Sequence, residues 1–174
     1  MTCTIHVEQI RHRPYPSGMD AFTAPIVLHA SAAFLVLVLG PVNIFRPSRD
    51  ALHRWLGRTW VVLMYVNCGA SFLFGLEDGF GFLHGLAVFT AFTVTLGVWN
   101  IRRGRVTSHQ AYMLGSYIGT LIAFAFAVAL PQRLIVRTGT EDPVLFWLVV
   151  GLLLLVAAAW VQLQRVLIRR PARS

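Results

Sequence analysis

The feature that most constrains this chain is a series of five continuously apolar runs, at about Ala24 to Phe45, Trp55 to Leu76, Phe80 to Trp99, Tyr112 to Leu130 and Pro143 to Leu163. Each is long enough to cross a bilayer as a helix, which takes about 20 apolar residues. A transmembrane β-barrel would instead need segments of about ten residues that alternate apolar with polar. Helices also satisfy their backbone groups internally, as lipid demands. The runs predict an all-α, polytopic integral membrane protein with five transmembrane helices, a four-helix core bundle plus one peripheral helix. Residues 1–21 read as a polar N-terminal arm and 22–174 as a single transmembrane helical domain.

Charge tells the same story. Of 174 residues 56% are apolar and 13% charged, yet the net charge is +8, and all 15 basic residues are arginine. In a soluble chain such an excess would point to a nucleic-acid partner. Here the arginines cluster between the apolar runs, so the implied partner is the lipid bilayer and no nucleic acid. Arg46, Arg49, Arg54 and Arg58 lie around the start of the second run, Arg102, Arg103 and Arg105 between the third and fourth, and Arg165, Arg169, Arg170 and Arg173 in the tail. Alternate crossing puts all of these on one side, with Asp50 as their only acid. The other side receives Arg11, Arg13, Arg133 and Arg137 together with Glu8, Asp20, Glu77, Asp78, Glu141 and Asp142. The positive-inside bias predicts a multi-pass protein with its N-terminus outside and its C-terminus cytoplasmic. Residues 1–20 lack an apolar core, so they do not read as a cleavable signal.

Four of the six histidines fall one per helix on the first four spans: His29, His53, His84 and His109. His29 and His84 lie about 6 to 8 Å inside the outer boundary, given about 1.5 Å per helical residue. His53 and His109 stand just ahead of their spans at the inner boundary. Thr107 and Gln110 have capping-box spacing and would start the fourth helix near His109; Pro47 and Ser48 would start the second. In a four-helix bundle alternate helices are diagonal partners, so His29 with His84 and His53 with His109 form two tiers of facing imidazoles. Such pairs are axial ligands for haem b. Gly57, Gly81 and Gly85 leave room for a macrocycle, and Arg54 and Arg58 suit haem propionates. The blander alternatives are interfacial histidines and topology-setting arginines.

Met64 and Met113 lie near the faces of His53 and His109, and thioether with imidazole would suit copper as the alternative metal. Asn67, Cys68 and Ser71 form a polar stripe that would hold a quinone or join helices. Gly115 and Gly119 have the spacing of close helix packing. There is no nucleotide-binding glycine loop, no Ser-His-Asp arrangement and no paired carboxylates within a span, so hydrolysis and phosphoryl transfer have no support.

The residues Leu28, His29, Ala30 through Gly40, Pro41, then His53, Arg54, Trp55, Leu56, Gly57, Arg58, and later His109, Gln110, Ala111, Tyr112, Met113 carry a resemblance. Over about Pro25 to Arg133 the chain resembles the bacterial membrane family called domain of unknown function 2306. The resemblance implies the helical membrane fold and singles out His29, His53 and His109, but brings no substrate. In layout, though not in motif, the chain is also similar to transmembrane dihaem cytochromes b. The functional expectation is a b-type haem protein passing electrons within or across the membrane, with a quinone or a redox protein as partner. The rival expectation is a non-catalytic accessory or assembly subunit of a larger respiratory or photosynthetic membrane complex.

Overall fold

A computed structural model describes residues 24–73, 80–129 and 139–169. The N-terminal arm with His6 and His12, and the turn at Glu77, Asp78 and Gly79, lie outside these. The described residues contain helices and no strand: α1 Ala24–Ile44, α2 Ala51–Ala70 with a short 3-10 turn Ser71–Leu73, α3 Phe82–Arg102, α4 Val106–Ala129 and α5 Pro143–Arg169. Helices α1, α3, α4 and α5 are each long and apolar enough to cross a membrane. Helix α2 is not among them, because His53, Arg54, Arg58 and Asn67 dilute its apolar character. The described residues therefore contain four candidate spans and a fifth helix of mixed character.

The mixed helix is nevertheless central to the packing. Its Leu52, Leu56, Trp60, Met64 and Cys68 recur every four residues and are all buried, a single stripe along one face. Helix α1 packs on α2, α2 on α3, α3 on α4 and α4 on α1, which makes a ring of four with α1 opposite α3 and α2 opposite α4. Helix α5 packs outside this ring on α1 and α2. It inserts Ala157 into the core formed by Val36, Leu39, Trp60, Met64 and Val94, and its Trp160 donates to the Thr59 hydroxyl at 3.2 Å.

Two helix starts differ from the sequence expectation. Helix α2 begins after Asp50, whose carboxylate accepts the His53 backbone N–H at 3.1 Å, so the cap is Asp50 and not Ser48. Asp50 pairs backward with Arg46 at 2.6 Å. The Arg46 guanidinium, with the His53 N–H, holds the Asp50 carboxyl far below the usual carboxylate range. Helix α4 starts at Val106, two residues before the start that a Thr107 cap would give, and His109 lies within its first turn, as expected. Gly104, at φ 73°, makes the sharp reversal after α3 that permits this early start.

The ring is locked where α1 carries Pro41. Pro41 lies inside α1 and has no N–H, so the carbonyl of Leu37, four residues earlier, loses its helical donor. The Tyr117 hydroxyl of α4 donates to that carbonyl at 3.2 Å. One residue away, the Trp60 indole N–H of α2 donates to the Val36 carbonyl at 3.1 Å. Both rings fit because residue 40 is glycine. A Cβ there would stand 2.5 Å from a Tyr117 ring carbon and 3.3 Å from the Trp60 nitrogen.

Two substitutions separate the parts of this lock. Gly40→Ala should destabilise the purified protein by about 1–3 kcal/mol through overpacking. Tyr117→Phe should cost about 1–3 kcal/mol by stranding the Leu37 carbonyl. Because both act on one contact, the double variant should lose less than the sum, as read from thermal unfolding midpoints in detergent.

Candidate functional site

Four histidines remain the chemistry-bearing groups of the bundle, and the structure gives each a distinct hydrogen-bonding state. His109 on α4 contacts the Gly97 carbonyl of α3 through Nδ1 at 2.9 Å. A carbonyl only accepts, so Nδ1 carries the proton and the lone pair of the neutral ring sits on Nε2. The approach is close because residue 97 has no side chain: a Cβ there would collide with the Met113 methyl and lie 3.3 Å from the Tyr112 Cβ. His29 on α1 makes the equivalent bond to the Asn67 carbonyl of α2, at 3.0 Å. In both rings a backbone carbonyl fixes the tautomer, as it does for metal-binding histidines.

The other two rings are arranged the opposite way. His84 accepts the Gly81 backbone N–H at Nδ1, 3.2 Å away, and so caps α3. Its neutral ring therefore carries the proton on Nε2. It is buried between Phe72 and Phe80, with ring centroids 5.5 and 5.6 Å away. His53 lies 3.4 Å from Arg49 through Nδ1. A guanidinium only donates, so Nδ1 is the acceptor there.

The arginine-rich end brings its two histidines to one level. Helices α2 and α4 run parallel across the ring, and their direct contact is the Thr120 hydroxyl on the Met64 sulfur at 3.8 Å. Met64 and Thr120 are separated by 56 positions, as are His53 and His109, so the two imidazoles have matched heights. They also interact electrically. Burial, the Arg49 cation and His109 push the His53 imidazole below its usual value, against the Asn43 backbone, which pulls it up. At the opposite end His29 meets α2 at Asn67, whereas His84 meets the turn beyond α2 at Phe72. Those two rings have separate partners.

The two arginines singled out by the sequence face outward. Arg54 and Arg58 are exposed, and the Arg58 guanidinium lies over the Trp55 ring, 5.2 Å from its centroid. The cation set beside the imidazoles is Arg49, which also donates to the Asn43 carbonyl at 3.3 Å. Sequence reasoning passed over Arg49 and Asn43. The four-residue step from Arg49 to His53 was the available signal. The Asn43 side-chain oxygen is buried without a partner, as is that of Asn67 beside His29.

The middle of the ring is filled by Val36, Trp60, Met64 and Val94, so a bound group of any size belongs at an end of the bundle. At the arginine-rich end the donor set is two level imidazoles, one with its Nδ1 anchored on a carbonyl, and one guanidinium. That set fits a haem. A bare ion finds no cluster of three or more His, Cys, Asp or Glu side chains among the described residues. Gly115 and Gly119, expected at a close helix contact, have nothing within 4 Å of where a Cβ would stand.

Comparison with known proteins bears on the family and not on the ligand. Neither the curated proteins nor the solved structures contain a match to the chain. One family model, described as predicted membrane protein (DUF2306), matches residues 26–164. That range covers α1 through most of α5 and includes all four helical histidines, and the chain belongs to this family of membrane proteins.

Proposed function

We propose that this chain is a b-type haem protein of the bacterial inner membrane that passes electrons within or across the bilayer. Its iron ligands are His53 and His109 at the arginine-rich end. The observation that carries this reading is the bond from His109 Nδ1 to the Gly97 carbonyl at 2.9 Å. It leaves Nε2 as the electron-pair donor, at the same height as the His53 ring. Haem supplies the one-electron couple when bound. Gly97 holds the His109 ring in its ligating tautomer, and Arg49 offers a propionate two charge-assisted donors. For its Nε2 to serve as a ligand, the His53 ring would carry its single proton on Nδ1, the Nε2 proton moving there by exchange with solvent, and would give up the Nδ1 contact with Arg49. A second haem between His29 and His84 would require His84 to release Gly81.

A second reading has one observation of its own. Met113 packs its methyl group over Gly97, the residue whose carbonyl holds His109. Thioether and imidazole therefore share a seat, a soft donor pair that suits copper in an accessory or assembly subunit.

Three measurements decide among these. Protein purified after expression with ample haem should show a Soret band that shifts on reduction with dithionite. His109→Ala and His53→Ala should each abolish it while leaving helicity intact. Copper in place of iron by elemental analysis supports the second reading, and neither metal in well-folded protein removes both.

The His53 imidazole also predicts a pH response. Its folded value lies below the usual 6.5, so the unfolded chain binds the proton first as the solution is acidified. Stability should fall between roughly pH 7 and 5 in the haem-free protein. Asp50 contributes nothing in that window, because its carboxyl stays ionised. The His53→Gln variant should show a smaller drop in thermal midpoint over the same range.

A further inference from the structure

The seam between α2 and α3 ends in cations that no carboxylate answers. Tyr65 of α2 and Thr95 of α3 join hydroxyls at 2.7 Å across this seam, and both residues are exposed. Arg58 lies seven positions before Tyr65, and Arg102 seven positions after Thr95. Seven residues are two helical turns, so each arginine shares a face with its seam residue and lies about 10 Å further toward the arginine-rich end. Adjacent helices stand about 8–10 Å apart, which sets residues 58 and 102 side by side at one depth, within reach of a shared headgroup.

Neighbouring groups strengthen the arrangement. Arg54 is one turn beyond Arg58, and Arg103, next to Arg102, stands over the Trp99 ring at 4.7 Å. Trp55 and Trp99 are 47% and 51% exposed, the half-wet position that indole takes at the level of lipid headgroups. Each indole face holds an arginine, Arg58 or Arg103, at that level. Among the described residues the acid at this end of the bundle, Asp50, is already paired with Arg46. Four guanidiniums thus remain without a counter-ion in the described residues.

The geometry points to a seat for the headgroup phosphate of an anionic glycerophospholipid in the α2–α3 seam, gripped by Arg58 and Arg102. A phosphodiester accepts two parallel N–H bonds from a guanidinium, and a forked donor recognises that shape better than a point charge. The glycerol and acyl chains then run along the exposed Tyr65 and Thr95 toward the apolar half of the seam. The headgroup supplies the negative charge that the protein itself lacks there.

The test uses the full chain in nanodiscs of phosphatidylcholine doped with phosphatidylglycerol, and reads the lipid retained per protein after extraction by mass spectrometry. Wild type should retain phosphatidylglycerol preferentially. Arg58→Gln and Arg102→Gln should each lower that preference about fivefold, whereas Arg165→Gln on α5, away from the seam, should not. Preference unchanged in both seam variants, or lowered equally by Arg165→Gln, overturns the assignment. Should a glutamine variant fail to fold, Arg58→Lys keeps the charge without the fork, and a preference equal to wild type there also overturns it. Inorganic phosphate at matched concentration should not displace the lipid; if it does, the seam is a site for free phosphate and the proposal falls.

Discussion

Two donations to neighbouring carbonyls of α1 hold this bundle in register. Pro41 removes one backbone donor, and the freed Leu37 carbonyl is taken by the Tyr117 hydroxyl. The Val36 carbonyl, one residue earlier, takes the Trp60 indole. In lipid there is no water to satisfy a stranded carbonyl, so Pro41 and the two aromatic donors form one unit. Because Trp60 comes from α2 and Tyr117 from α4, the unit ties three helices at one height. The levels of His53 and His109 follow from it.

Backbone carbonyls then decide what the histidines can do. His29 and His109 each give Nδ1–H to a carbonyl of an adjacent helix, and both carry their electron pair on Nε2. His84 spends its electron pair on the Gly81 N–H, and His53 faces an arginine. The four side chains are thus sorted by how Nδ1 is tied, donating in His29 and His109 and accepting in His84 and His53, through contacts that are local or between adjacent helices.

The apolar runs made the helices legible, and the charge asymmetry made their ends legible. The run from Phe80 to Trp99 became Phe82–Arg102, and that from Pro143 to Leu163 became Pro143–Arg169. The start of α2 was misplaced because Ser48 and Asp50 are both good caps, and the choice turned on Arg46 reaching forward to Asp50. One histidine per helix was legible by counting. What each ring touches was not, because that depends on helix rotation, and apolar runs hydrophobic on all sides carry no periodic signal for it. The same gap hid the outward direction of Arg58 and the place of Arg49 beside His53.

Gly97 has a mechanical consequence. Its bare backbone lets α3 and α4 approach until Met113 covers it, and at that separation its oxygen reaches the His109 ring. The spacing of two helices and the electron richness of one imidazole are therefore a single variable. Any strain that spreads the pair lengthens the Nδ1–H···O contact and draws electron density away from the opposite nitrogen. Bilayer thickness or tension, acting on the helices, would bear on that bond without touching the ring.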